Sequence, residues 1–473
     1  MTEGYRLSPQ QKHLWLLQKA DNSRSYLTRC AVAIQGNLDA QVLLFALEEI
    51  VSKNEILRTN FDCLPGMTVG VQIIGDRSLT WHPIIDLTDL NPTKQNSEVE
   101  KIWQNFGRRE LDLKTDLLLE VSLVKLENER HILLINLPAL CADSASLQIL
   151  INEISQEYAA SFSRETLPQP ELQYADLAEW QNELLEGEDG RLGKEYWQQQ
   201  NLGDRFNLKL PFEADSEEFN PGVYQLTLEE SLLEKIEKID TSISEFFLTC
   251  WLTLIWRLTG EENIVIGLLG DGRKYEELER ALGLFAKQLP FCFSIEENSN
   301  FLELRERVKY SVAEIFKWQD YFTWNELTAD YSQECLLPFA FEFLELHNVA
   351  KNLEFALEKI DSYFDKYRIK LLVTGADKLT AEFHYDANAY DVENIERLAE
   401  QFQTLLTSVL ANPAEEISKL KITSDRQSKQ VLIDFNNTQK TFPLDKCVSH
   451  LFVSGVIDWR RSASSRSEER RVG

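Results

Sequence analysis

The sequence predicts an α/β fold. Helical and strand-like periodicities alternate along the chain, the strand-like runs are largely apolar, and the pattern starts again past the first third. In the first series, residues 29–35 carry Val32 and Ile34 on one face, as a mostly buried strand does. Residues 39–53 place Val42, Phe45, Ala46, Glu49, Ile50 and Lys53 near one stripe, beside Leu43, Leu44 and Leu47, with Asp39 as a good N-cap. Residues 97–110 read as a helix. The apolar runs 120–126 and 131–137 flank Glu127-Asn128-Glu129-Arg130 and read as a β-hairpin. A helix-like run follows over 145–158, and the polar, proline-bearing residues 161–170 read as a linker. The second series comprises helices over 174–187, 228–239, 244–258 and 392–410, with strands over 263–269, 366–374 and 379–385.

The 473 residues give ample chain for two to four domains with sizeable cores. Hydrophobic residues at 43% and charged residues at 27% describe an ordinary globular protein, expected in the cytoplasm. No apolar run approaches the ~20 residues of a membrane span, and residues 1–6 do not resemble a signal peptide. A net charge of −28 argues against nonspecific nucleic-acid binding, which needs a basic footprint. The cysteines (30, 63, 141, 250, 292, 335 and 447) are scattered and odd in number, as expected of reduced thiols, and no metal site is expected. The stretch Gly267-Leu268-Leu269-Gly270-Asp271-Gly272-Arg273-Lys274 mimics a phosphate loop but lacks the Lys-Ser/Thr pair that holds phosphate and magnesium.

Six segments carry a family resemblance. Leu7-Ser8-Pro9-Gln10-Gln11-Lys12-His13-Leu14-Trp15 resembles Ser-x-Ala-Gln-x-Arg-Leu-Trp, and Lys53-Asn54-Glu55-Ile56-Leu57-Arg58-Thr59-Asn60-Phe61 resembles Arg-His-Glu-x-Leu-Arg-Thr-x-Phe. Tyr174-Ala175-Asp176-Leu177-Ala178-Glu179-Trp180 is similar to Tyr-x-Asp-Phe-Ala-x-Trp. Residues 264–273, followed by Leu282-Gly283-Leu284-Phe285, resemble Val-x-Gly-Arg and then Ile-Gly-x-Phe-Val-Asn-Thr. Trp318-Gln319-Asp320-Tyr321 is similar to His-Gln-Asp-x-Pro-Phe-Glu. The sixth, residues 133–144, resembles the strand that ends in His-His-x-x-x-Asp-Gly. Together these resemble the condensation domains of nonribosomal peptide synthetases. Aligned on Asp143, the two histidines become Pro138 and Ala139, and the glycine becomes Ser144.

The resemblance implies two chloramphenicol-acetyltransferase-like lobes, residues 1–170 and 171–424, forming a V-shaped pseudo-dimer with a tunnel between them. It implies substrates carried as thioesters on the phosphopantetheine of partner carrier proteins, with no cofactor bound directly. Residues 425–452, with Asp434-Phe435-Asn436-Asn437-Thr438 and Pro443, resemble a linker and the opening of an adenylation domain. Residues 453–473 lose apolar periodicity and read as a non-native tail.

In that family the second histidine serves proton transfer or oxyanion stabilisation, and a positioned base contributes about 10²–10⁴-fold. Ala139 offers neither, so no catalytic residue is assigned. The resemblance pairs Asp143 with Arg273 as a structural brace. Cys141, Lys287, Gln288, Trp318 and Gln319 fall in segments that line the family's tunnel region; Cys141 is read chiefly as a small core residue. None of the six histidines (13, 82, 131, 347, 384 and 450) is expected to replace the missing one. The function expected is that of a degenerate condensation domain, serving as a docking platform for carriers or a tailoring enzyme. The alternative is an active acyltransferase whose substrate supplies its own base.

Overall fold

The structure, a computed structural model, describes residues 4–429 apart from 22–25, 77–78, 108–110, 164–167, 169–171, 201–207, 217–218, 230, 240, 325–336, 347–348, 351–352 and 376–378. The residues read as an adenylation opening (434–443), the tail 453–473, His347 and His450 lie outside the described residues, as does most of the linker 161–170. The chain divides into two compact units, Met1–Ile422 and Thr423–Gly473. The second contributes one short helix, Asp425–Lys429, among the described residues. No helix of the described residues is long and apolar enough to cross a membrane.

Two large sheets organise the first unit. One is built around the hairpin Glu120–Glu127 and Arg130–Pro138, and Leu27–Gln35 pairs with the second hairpin strand. Every residue of Arg130–Pro138 except Arg130 is buried, as a strand covered on both faces requires. Beyond Leu27–Gln35 the sheet is extended by Glu354–Ser362, a strand from far later in the chain, which runs antiparallel with a bulge between Leu357 and Lys359. Helices Ala40–Lys53 and Ser144–Ser163 pack together over this sheet. Asp39 caps the first of them, accepting from the Gln41 and Val42 amides at 2.9 and 3.3 Å.

The other sheet has the order Lys287–Ser294, Asn263–Gly270, Phe339–Glu345, Ile369–Gly375, Leu379–Asp386 and Pro221–Leu226. Two of its pairings are parallel and three antiparallel, giving the mixed α/β fold that the alternating periodicities predict. Helix Ile243–Thr259 is buried nearly all round, and its Trp251 meets Phe339, Phe383 and Phe402 at ring distances of 5.5–6.1 Å.

Several boundaries differ from the sequence reading: the helix read over 145–158 runs over Ser144–Ser163, into the residues read as linker, and three more have local causes. The helix read over 97–110 begins at Pro92, because Asn91 caps it by accepting from the Lys94 amide at 3.0 Å and proline suits the first turn. The helix read over 228–239 is only Leu232–Glu237; its two buried residues, Leu232 and Ile236, need no more than one turn to reach the core. The strand read from 366 begins at Ile369, since Asp365 and Lys366 sit in the preceding turn.

Polar contacts tie the sheets together. Ser144 Oγ donates to Glu342 Oε1 at 2.7 Å, and Lys370 Nζ donates to Glu342 Oε2 at 2.7 Å and to the Ser362 carbonyl at 3.3 Å. Ser144 and Ser362 belong to the first sheet's layer; Glu342 and Lys370 are inward residues of the second. The pair is almost wholly buried, with side-chain exposures of 2% and 7%. Removing one partner of such a pair leaves an uncompensated charge. Lys370→Met is therefore expected to cost about 3–5 kcal/mol, and Lys370→Met with Glu342→Met is expected to recover most of that loss. Denaturant midpoints of the two variants check this.

Candidate functional site

Asp143 lies in the loop between strand Arg130–Pro138 and helix Ser144–Ser163, fully buried and surrounded by donors. Oδ1 accepts from the Ser146 amide and hydroxyl, both at 2.8 Å, and from Arg273 Nη2 at 3.0 Å. Oδ2 accepts from Arg273 Nη1 at 3.1 Å and from the Phe285 and Ala286 amides at 2.9 Å. The guanidinium is bidentate to the carboxylate, lies 4.5 Å from the Phe285 ring, and donates through Nε to the Ala281 carbonyl at 3.1 Å.

Two glycines allow this approach. At Gly272 (φ +75°) a Cβ would stand 2.3 Å from the Phe285 carbonyl oxygen, and at Gly283 (φ +147°) it would stand 2.0 Å from the Tyr174 ring. Tyr174 Oη donates to the Leu284 carbonyl at 2.6 Å and lies 2.9 Å from Ser8 Oγ. Gln11 Nε2 donates to the Leu140 carbonyl at 2.9 Å. Residues from four of the matched segments thus meet around one carboxylate.

Burial alone would raise the Asp143 carboxyl. The Arg273 charge, with hydrogen bonds from Arg273 and Ser146, outweighs burial and holds it below the usual aspartate value. The side chains before Asp143 bring no acid–base group to the loop. Pro138 ends its strand opposite Leu27, and Ala139 is fully buried, its amide donating to the Tyr26 carbonyl at 3.3 Å. Cys141 is fully buried in the first core, and burial pushes its thiol well up. Ser144 is engaged with Glu342, as described above.

The strand that leaves the brace runs beside a small, partly open cleft. Lys287 and Gln288 line it, with Gln10, His13 and Asp365 and an apolar wall that includes Phe322 and Trp324. The Lys287 ammonium donates to the Gln319 and Asp320 carbonyls at 3.0 and 3.2 Å. Burial lowers its pKa to about 8, against the opposing pull of Asp320. His13 stacks on Trp324, with ring centroids 5.5 Å apart, and places Nε2 3.3 Å from Asp365 Oδ1.

The structure therefore brings Asp143 and Arg273 together and puts Lys287 and Gln288 in the cleft. Trp318 stands apart, stacked on Tyr196 at 5.0 Å with Nε1 donating to Glu314 at 3.1 Å, and Gln319 does not line the cleft: its carbonyl accepts from the Lys287 ammonium and its side chain lies beside Gly270. The His13–Asp365 contact was missed in the sequence. Its partners are 352 positions apart, and no local spacing signals it.

The family described as Condensation domain matches residues 1–432. The chain belongs to the condensation-domain family. It is a condensation domain of the nonribosomal peptide synthetase type. It is 27% identical over 479 residues to gramicidin S synthase 2 of Aneurinibacillus migulanus, covering 96% of this chain and 10% of that protein. It is also 27% identical over 470 residues to tyrocidine synthase 2 of Brevibacillus parabrevis, covering 95% of this chain and 13% of that one. The chain thus spans only a small part of these curated relatives. The first condensation domain of the calcium-dependent antibiotic synthetase shares the fold at a TM-score of 0.78 and 16% identity, over 89% of this chain and 99% of that domain. The X-domain in a complex with OxyB from teicoplanin biosynthesis shares it at 0.72 and 22%, over 90% and 97%.

Asp143→Asn is expected to destabilise this condensation domain by about 2–3 kcal/mol at neutral pH, because the buried Arg273 then keeps only Asp271, at 2.6 Å, as a charge partner. A depressed carboxyl contributes stability above the unfolded aspartate value, and that contribution is lost as the pH falls through the folded one. The wild type should therefore lose a component of stability below about pH 4 that the variant lacks. Denaturant titrations at neutral and acidic pH measure both effects.

Proposed function

We propose that this chain is a condensation domain working with carrier-bound acyl or aminoacyl thioesters, whose loop at residues 138–144 supplies no chemistry. Its role on this reading is to dock carriers or a tailoring enzyme within a synthetase module. Ala139 carries the proposal: the position aligned with the family's second histidine holds a fully buried methyl group, in a loop whose carboxylate is saturated by its own donors. An acid whose lone pairs are answered by fixed donors stays folded and ionised but has no capacity left to take up a proton. The brace and the clamp through Ser144 and Glu342 support a loop kept for its shape.

The likeness to the X-domain found in a complex with OxyB supports the tailoring-enzyme form of this reading. On the same reading, residues 1–170 and 171–424 are the two lobes, the phosphopantetheine arms of the carriers bring the substrates, and the segment after 424 opens an adenylation domain. A second reading is acyl transfer in which the substrate's own basic group takes the proton; the small cleft beside the brace is where such a substrate would sit.

A transfer assay separates the readings. Loaded donor and acceptor carriers of the module are mixed with the full chain, and the acceptor is followed by intact-protein mass spectrometry. We expect no growth of the acceptor above the enzyme-free control. Growth by the donor's acyl mass overturns the docking reading in favour of the second. Ala139→His is expected not to restore transfer, because the buried position has no room for an imidazole without repacking the loop.

A further inference from the structure

The two large sheets repeat one arrangement. In each, a strand pairs antiparallel with the second strand of a hairpin, and a long helix follows the hairpin. In the first sheet Leu27–Gln35 pairs with Arg130–Pro138, before helix Ser144–Ser163. In the second Pro221–Leu226 pairs with Leu379–Asp386, before helix Val392–Ala411. The outer edge of Leu27–Gln35 is taken by Glu354–Ser362, which adds antiparallel and lies against the helix of its layer. Pro221–Leu226 instead ends its sheet, and no strand of the described residues pairs with its outer edge.

The register shows which groups face outward. The Ala387 amide donates to the Asn220 carbonyl at 2.7 Å, in line with the pairing of Asp386 opposite Pro221. Bonded and non-bonded pairs alternate in an antiparallel ladder, so Gly222, Tyr224 and Leu226 bond inward, while Pro221, Val223 and Gln225 turn their main chain outward. A proline, having no N–H to give, suits an outward position. Val223 is 43% exposed and Gln225 is exposed, and no hydrogen bond reaches their main-chain groups among the described residues. This row of N–H and C=O groups is a template for another strand.

The two faces beside the edge differ in charge. Val223 and Gln225 share the face of His384 and Glu382, their partners in register. Tyr224 is on the other face, against helix Val392–Ala411, where burial and then the Glu396 and Glu400 carboxylates raise its hydroxyl pKa. Gln403, on the same side of that helix, donates to the Thr227 carbonyl just past the strand. Arg397 turns toward the Phe212 ring, 5.9 Å away.

We propose that the outer edge of Pro221–Leu226 accepts an extended segment of a partner protein as an added antiparallel strand, with Lys or Arg on the side of Glu396 and Glu400 and apolar residues on the side of Val223. The segment takes the place that Glu354–Ser362 fills in the first sheet, with main-chain bonds giving affinity and alternate side chains giving selectivity. Two copies of this chain paired edge to edge bring the same carboxylates together, so charge selects a basic segment over a second copy. The inference goes beyond the docking reading, and it stands whether or not the domain transfers an acyl group.

The test uses the full chain and the peptide acetyl-Val-Lys-Val-Lys-Val-Lys-Val-amide, with binding followed by calorimetry. Peptide residues opposite Val223 and Gln225 share their face and turn their N–H groups to the edge, so these are the valines. N-methylation of the valines is expected to weaken binding about tenfold or more, and N-methylation of the lysines to leave it within about twofold. Both methylated peptides keep their charge, so general attraction to an acidic chain does not separate them. Glutamate in place of lysine is expected to weaken binding about tenfold or more. Val223→Pro, which an edge strand tolerates, removes an outward donor and is expected to weaken the lysine peptide similarly. No binding of the lysine peptide, equal binding of the two methylated peptides, or binding that survives Val223→Pro overturns the proposal. A dimer of the chain that Val223→Pro dissociates assigns the edge to a second copy and overturns it too. The comparison of peptides on the wild type stands even where the variant fails to fold.

Discussion

A carboxylate with no exposed surface stays charged only where both oxygens are answered, and Asp143 is answered six times over by Arg273, Ser146, Phe285 and Ala286. Each donor belongs to a piece of chain that must be in place for the contact to form. Arg273 comes from the turn after one strand of the second sheet, and Phe285 and Ala286 from the approach to the next strand. Ser146 lies in the first turn of the long helix over the first sheet. Tyr174, its hydroxyl also in contact with Ser8 Oγ, then holds the carbonyl of Leu284, so the amides that face Asp143 are fixed from behind. The loop at 138–144 is held by this ion pair together with Gln11 on the Leu140 carbonyl, Thr28 on the Ala142 carbonyl and Ser144 on Glu342.

The same logic of buried charge runs through the rest of the layer between the sheets. Arg29 and Asp361 pair at 2.7 Å, joining neighbouring strands of the first sheet, with the guanidinium lying 4.2 Å from the Trp103 ring. Glu342 and Lys370 pair within the second and reach the first through two serines. Hydrophobic contact places the layers side by side without direction. Charged hydrogen bonds allow only one register, because any slip leaves a buried charge unpaired.

Lys287 shows a different arrangement. Its ammonium is held by the main-chain carbonyls of Gln319 and Asp320, while Gln288, the next residue of the strand, places its amide on the opposite face, over Gly267. Gln288 Nε2 and Gln10 Oε1 are buried without a hydrogen-bond partner.

The sequence by itself determined the fold class, many element positions and the meeting of Asp143 with Arg273, but not three strands of the second sheet, Pro221–Leu226, Lys287–Ser294 and Phe339–Glu345. Periodicity is a local property: the stripe of helix Ala40–Lys53 and the apolar run of Arg130–Pro138 announce themselves within a few residues. The pairing of Asp143 with Arg273, 130 positions apart, was legible only through the motifs that carry the resemblance. Tertiary structure alone decided the rest. Nothing in the pattern of Glu354–Ser362 says that it joins the sheet begun by Leu27–Gln35, because a strand's own alternation does not encode its neighbour. Nor does any spacing place Asp365 beside His13, or leave Lys287 facing neutral carbonyls while Lys370 finds Glu342. Whether a buried charge meets a partner depends on three-dimensional packing, and a one-dimensional pattern holds no record of it.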